Sequence, residues 1–475
     1  MSGKYDYDAV IVGAGPNGLA AAITLAREGL SVLVVESGDT IGGGARSAEL
    51  TLPGFVHDIC STIHPMGLAS PFFRELQLEQ YGLGWAHPDA PLAHPFDDGT
   101  AAILERSTQA TAQTLGEDAE AYLKLMDPLV ADAGKIIKDI LGPFPFPPSY
   151  PFAMLRFGLT ALRSYRGLVE SRFKGDRARG MFAALAAHSF LPPSRPIGAA
   201  FGLALGITAH SVGWPLARGG SQRIVDAMAD NLLSMNGEIV TGTHVRSLDQ
   251  LPPTRHILFD VTPRQLLEIA GEHFPTSYQR KLAGYRYGPG VFKIDWALSD
   301  PIPWKAPECS RAATVHLAGH LKSIVASENA IWHNQIVDEP FVLLVQPTLF
   351  DCERAPAGKH IGWAYCHVPH GSTVDMTSRI EAQVERFAPG FRDCIIGRSV
   401  MNTAMIQEHN PNYMGGDING GVQDIFQLFT RPVARWVPYS TPNERIYLCS
   451  SSTPPGGSVH GMCGFHAANA VLRNY

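Results

Sequence analysis

Ala9-Val-Ile-Val12, Gly13-Ala-Gly15-Pro16-Asn17-Gly18, Leu19 to Glu28 and Ser31-Val-Leu-Val-Val-Glu36 read in succession as strand, glycine loop, helix and strand. Such a unit binds a dinucleotide. Gly13 permits the tight turn, Gly15 carries no side chain to block a pyrophosphate, and Gly18 lets the helix pack close to the strand, while the helix amino terminus offers free N–H groups to phosphates. Glu36 ends the second strand, where a carboxylate accepts ribose hydroxyls and repels a 2′-phosphate, which favours FAD or NAD over NADP. Six residues on, Gly42-Gly43-Gly44-Ala45-Arg46-Ser47 forms a second loop of bare backbone, with Arg46 as a cation for phosphate. A nicotinamide dehydrogenase does not usually need this second loop.

The chain around this unit has 475 residues, 45% hydrophobic and 17% charged, with a formal net charge of −6. That composition excludes a disordered chain, and the absence of any basic run disfavours nucleic acid as a partner. Seven cysteines, odd in number and never in a C-x-x-C pair, argue against a disulfide framework or a zinc site and fit a reducing, cytoplasmic compartment. The start runs directly into the first strand and leaves no room for a secretory signal, so the amino terminus is expected to belong to the fold. Pro196 to Ala217 holds no Asp, Glu, Lys or Arg, but its glycines, His210 and Trp214 read as a buried helix followed by a tight loop rather than a membrane span.

The series Gly13, Gly15, Gly18, Glu36 and Gly42-Gly43, taken with Tyr447 to Asn469 at the far end and Trp214-Pro-Leu-Ala-Arg-Gly219-Gly220-Ser221, resembles the flavin amine oxidase and phytoene desaturase superfamily. The likeness is closest to the phytoene-dehydrogenase-like branch. It implies an α/β fold in which a discontinuous Rossmann-like, glutathione-reductase-type FAD-binding domain (1–70, 215–288 and 405–475) is interleaved with an α+β substrate domain (71–214 and 289–404). That second domain is expected to bear a helical insertion at about 115–205. The resemblance implies non-covalent FAD held by Gly13, Gly15, Pro16, Asn17, Gly18, Glu36, Ser37, Gly42, Gly43, Gly44, Ala45, Arg46, Val245, Val459, His460, Gly461 and Met462. Two departures stand out: Gly44 occupies the place after the glycine pair where many members have arginine, and the segment after Val245 lacks the family's longer hairpin.

Apolar residues recurring at three and four between 115 and 140 predict an amphipathic helix bent near Pro128. Leu141 to Phe152 packs five prolines among four aromatics, which excludes a helix; it reads as a rigid connector or, beside Arg156 and Arg163, as an apolar rim that suits peripheral membrane contact. Alternation from Val291 to Leu298 predicts a strand with Phe292, Ile294, Trp296 and Leu298 on one face and Lys293 and Asp295 on the other. Its flanks are similar to the amine oxidase stretch whose lysine holds a water at flavin N5, which makes Lys293 the catalytic candidate; the competing reading is a solvated lysine paired with Asp295. His367 and His370 lack a carboxylate at ligand spacing, so no metal is expected. Asp58, His64 and the Gly415–Gly421 loop are secondary candidates for approaching the site, though turns and core packing also account for them.

These residues together predict an FAD-dependent oxidoreductase passing hydride from a largely apolar small molecule to the flavin, with oxygen or a quinone as final acceptor. Amine oxidation and a non-catalytic FAD-binding interaction protein are the alternatives, and the oligomeric state stays open. Only one G-x-G-x-x-G opens a helix after a strand, so a second nucleotide site for NADPH is not expected.

Overall fold

The computed structural model describes residues 5–143 and 147–473. Five parallel strands form one sheet in the order Ile446–Leu448, Thr254–Phe259, Tyr7–Val12, Val32–Val35, Glu238–Val240. The central strands are buried on both faces, as a parallel sheet covered on both sides requires. Ala9, Ile11 and Val34 pack toward helices Pro16–Arg27, Gln222–Leu233 and Met462–Leu472, while Val10, Val12, Leu33 and Val35 pack toward Pro263–Ala270 and Thr276–Ala283. The ladder continues one residue past the strands: Gly13 N–H donates to Val35 O, Glu36 to Val240 O, Asp260 to Val12 O and Cys449 to Phe259 O. The residues following four strands therefore stand side by side along the carboxyl edge of the sheet.

Opposite lies a seven-stranded sheet in the order Ile395–Met401, Gly290–Leu298, His360–Val368, Val342–Val345, Ala312–Leu317, Ala90–Pro95, Ala101–Leu104. Its pairs are antiparallel except Ala312–Leu317 with Ala90–Pro95. The alternation read from the sequence holds: Phe292, Ile294, Trp296 and Leu298 pack with Val342, Leu344 and Cys366 against Ile380, Val384 and Phe387 of helix Thr377–Phe387. Register aligns Lys293 with Tyr365 and Tyr365 with Leu343, and aligns Asp295 with Trp363, on the other face. That face looks toward the parallel sheet.

Helices Thr108–Thr114 to Gly198–Ser211 cover one side. The bend expected at Pro128 is displaced: Pro128 stays inside Ala119–Ala131, and the break falls at Asp132, before Ala133–Ile140. Proline is thus accommodated in the last turn, and the helix ends just beyond it. Leu141 to Phe152 is not helix-free either, because Pro151 occupies the first turn of Pro151–Ala161, where its missing N–H costs nothing; Phe144 to Phe146 lie outside the described residues. The uncharged stretch forms the 14-residue helix Gly198–Ser211, and no helix among the described residues is long and apolar enough to cross a membrane.

A buried ion cluster knits distant segments. Arg354, 1% exposed, donates to both oxygens of Asp58 (3.0 and 2.8 Å) and contacts Asp351 at 3.1 Å. The two acids accept the backbone N–H groups of Ser221 (2.7 Å) and Gly219 (2.8 Å), so the Arg218-Gly-Gly-Ser turn is clamped by the same cluster. Burial opposes ionisation of Asp58, but Arg354 and these donors overcome it and hold its carboxyl down to about 2.

Buried imidazoles make the fold acid-sensitive. Burial pushes His57 and His188 down to about 3 and His64, His94 and His460 down to about 4, against an ordinary value of 6.5. Below pH 6.5 the unfolded chain binds protons that the folded one refuses, so stability falls as pH falls. The expected result is a thermal midpoint that drops steadily between pH 6.5 and 4, with up to about 1.4 kcal/mol per pH unit for each such histidine. A midpoint flat across that range would show that these rings are not held neutral.

Candidate active site

The carboxyl edge of the parallel sheet and the inner face of the antiparallel sheet enclose a cavity of about 410 Å³. At one end its wall is Gly13, Gly15, Pro16, Asn17, Glu36, Ser37, Gly43, Gly44, Arg46 and Asp260. At the other it is Phe201, Ala204, Leu205, Trp214, Leu343, Val345, Trp363 and Tyr365, with His188 and Thr314. Ser450–Ser452 and Gly457–Val459 close it from the far end of the chain. An outer cavity of about 830 Å³ shares Gly13, Ser37, Val261, Gln265 and Pro411 with it and contains Val245.

The glycine loop folds as it does because nothing larger fits. Gly15 is the N-cap of helix Pro16–Arg27, with Pro16 at its first position, so the helix opens a turn earlier than Leu19. A Cβ on Gly18 would stand 2.0 Å from Gly13 O, and one on Gly43 3.1 Å from Gly15 Cα, which brings the two glycine loops into backbone contact. For Gly15 the first obstacle is not a ligand: a Cβ there would lie 2.6 Å from Asp260 Oδ2. That carboxyl oxygen accepts the Gly18 N–H at 2.9 Å. Burial, with a contribution from Glu36, pushes the Asp260 carboxyl well above the usual carboxylate range, against the pull of the Gly18 N–H.

Glu36 accepts Ala14 N–H at 2.7 Å and Gly38 N–H at 2.8 Å, one on each oxygen, and faces the cavity. Arg46 spans Gly43 O (3.0 Å) and His409 O (3.1 Å), bracing the second loop from the cavity wall. Not every expected cofactor residue reaches the wall. Gly18, Gly42, Ala45, His460, Gly461 and Met462 lie behind it as packing, while Val459 reaches it. His460 Nδ1 accepts Met462 N–H at 3.0 Å, which uses one of the donors of helix Met462–Leu472. Cys449 and Cys463 are fully buried and off the wall.

Lys293 is not solvated: it is 3% exposed and paired with Asp295. Burial pushes Asp295 up to about 6 against the pull of Lys293, and Asp295 Oδ1 lies 3.6 Å from His57 Nδ1. Lys293 lines a small void of about 20 Å³, walled by Cys60, Trp363, Tyr365, His409, Tyr413 and Ile418, all of which also wall the main cavity. Asp58 and His64 stay behind the wall in the ion cluster and on Ser221, whereas Ile418, Asn419 and Gly420 reach it. His367 does meet a carboxylate, Glu328 Oε2 at 2.7 Å, through tertiary contact that spacing could not reveal; among the described residues no group of three or more His, Cys, Asp or Glu could hold a metal ion. Asp260, Cys60, His188 and Tyr413 were not singled out from the sequence. Only Asp260 carried a usable signal, standing directly after a strand as Glu36 does.

Strand ends converging on glycine loops at a helix N-terminus, beside a partly apolar cavity, define a dinucleotide-binding oxidoreductase fold. Residues 11–76 match the NAD(P)-binding Rossmann-like domain family. The chain is 24% identical to pyridine nucleotide-disulfide oxidoreductase domain-containing protein 2 of Rattus norvegicus, covering 99% of this chain and 94% of that one. It is 22% identical to a phytoene desaturase (lycopene-forming) of a Paracoccus species, covering 98% and 96%. A solved putrescine oxidase variant superimposes with a TM-score of 0.63 at 17% identity, covering 99% of both chains. The chain thus shares the fold of this amine oxidase, and its relatives in sequence are oxidoreductases.

Gly15→Ala is expected to drive its new methyl into Asp260, break the Gly18 hydrogen bond and lower stability by about 1–3 kcal/mol. Introduced into an Asp260→Ala background, which already lacks that bond, Gly15→Ala should cost much less of the thermal midpoint than it does in the wild-type chain. An equal further loss in both backgrounds would show that the methyl collides elsewhere.

Proposed function

We propose that the chain is an FAD-dependent oxidoreductase that removes hydride from a largely apolar organic substrate. One observation carries the substrate reading: among the described residues, the only carboxyl groups on the main cavity's wall, Glu36 and Asp260, sit at the dinucleotide end. The end formed by Phe201, Leu205, Trp214, Leu343, Val345 and Trp363 offers no anion to hold an ammonium group. The wall also fits a dinucleotide. Asn17 Oδ1 is buried there without a hydrogen-bond partner, and Gly15 and Gly43 leave bare backbone facing the space.

In this reading the N-terminus of helix Pro16–Arg27 and the backbone of Gly43 and Gly44 would hold the pyrophosphate, Glu36 would hold the adenosine ribose, Val245 would border the adenine in the outer cavity, and Arg46 would supply positive charge. FAD supplies the two-electron acceptor for the hydride. Lys293 then serves as a positioning residue, because the void it lines has room for about one water. An ammonium fixed there by Asp295 can hold that water, and the apolar wall keeps bulk water from the reacting carbon. Oxygen or a quinone takes the electrons onward.

Anaerobic mixing followed at the flavin absorption band tests this. Small apolar molecules extracted from the protein, or apolar alkenes and alcohols, are expected to bleach the band, whereas primary amines and NADPH bleach it slowly or not at all. Lys293→Met should keep its cofactor and slow reoxidation several-fold. Rapid bleaching by an amine would establish an amine oxidase, and rapid bleaching by NADPH a reductase.

A further inference from the structure

Helix Pro151–Ala161 is apolar on two faces. Ala153, Met154, Phe157 and Ala161 pack into the core, as one face of a surface helix should. The residues at the complementary spacing, Phe152, Leu155, Leu159 and Leu162, are 85, 60, 72 and 51% exposed. A stripe of large apolar side chains pointing at water is costly, and a contiguous one marks a contact surface. A second set lies on the segment after Asp424, where Phe426 is 74% and Trp436 104% exposed.

The two sets are carried by elements joined through shared contacts. Leu162 O accepts the N–H of Ile197, and Ile197 packs in one cluster with Val422 and Leu428. At the other end, Leu141 O contacts His466, whose ring stacks on Tyr439, three residues after Trp436. The elements behind this face also line the main cavity. Helix Pro151–Ala161 packs on Gly198–Ser211, which supplies Phe201, Ala204 and Leu205, and the Phe426 segment follows directly on Gln423 of the cavity wall.

Charge identifies the occupant. Residues 132–175 carry seven lysines and arginines against Asp132, Asp139 and Glu170, a net charge of +4 in a chain whose net charge is −6. A second copy docking by this face would bring two such positive surfaces together, since a two-fold interface pairs a patch with itself. A bilayer bearing acidic headgroups accepts both features at once, basic side chains at the headgroups and leucine, phenylalanine and tryptophan at the acyl boundary. We propose that this face docks the protein on an anionic lipid bilayer, with the cavity behind it placed to receive an apolar substrate from the lipid.

Flotation of the full-length holoprotein with vesicles tests it. The protein is expected to float with phosphatidylcholine vesicles containing phosphatidylglycerol, and to do so at least about tenfold less with pure phosphatidylcholine or in high salt. Leu155→Ser/Leu159→Ser changes only exposed side chains; it should keep cofactor content and thermal midpoint while the floated fraction falls by about tenfold or more. Brominated acyl chains should quench a fluorescence contribution that Trp436→Phe removes. Protein that stays with the lipid-free fraction, or that floats equally well as the double variant, overturns the proposal. A dimer that the double variant splits, without flotation, would assign the face to a second copy instead.

Discussion

Helix Pro16–Arg27 is held by backbone approaches that leave no space for a side chain. Gly18 meets Gly13 O on the sheet side, and on the outer side a Cβ on Gly464 would stand 1.8 Å from Asn17 O, the carbonyl that helix Met462–Leu472 rests against. The N-terminus of the first helix is thus fixed between the first strand and the last helix of the chain. The positions of Gly15, Glu36 and Asp260 along one sheet edge, and of Ser450–Ser452 opposite, follow from that clamp. A dinucleotide site assembled from residues some 440 apart is possible because these contacts tolerate only glycine.

The second constraint is electrostatic. Between the two sheets lie Arg354 with Asp58 and Asp351, and Lys293 with Asp295 beside His57, all buried. Ions taken out of water cost several kcal/mol each, and they persist only where each finds a partner and further hydrogen bonds. Removing one member strands its partner. The Arg354 cluster is spent on architecture, since both acids also hold the Arg218-Gly-Gly-Ser turn. The Lys293 pair borders a water-sized void next to the main cavity, so the same physics places a fixed positive charge where chemistry can use it.

Much of this was legible in the sequence, and the reason is local. The glycine spacing, Glu36 and the alternation around Lys293 are short-range patterns that translate directly into turns, strand ends and sheet faces. What stayed hidden depends on residues distant in the chain. Asp260 fills the space beside Gly15 from 245 positions away, Arg354 reaches back to Asp58, and Glu328 pairs with His367 across two elements. Burial of Lys293 could not be read either, because alternation shows which face a residue takes but not what covers that face. The break at Asp132 rather than Pro128, and the helix that starts at Pro151, show proline acting by position: tolerated near a helix end, favoured at its start.

The most direct test of the central claim is the identity of the chromophore. The purified holoprotein should be yellow and, once denatured, should release intact FAD with no flavin left on the polypeptide, its mass and absorption spectrum identifying it. A colourless protein that cannot be reconstituted with FAD but binds NAD would contradict the assignment of the glycine loops, Glu36 and the enclosed cavity to a flavin.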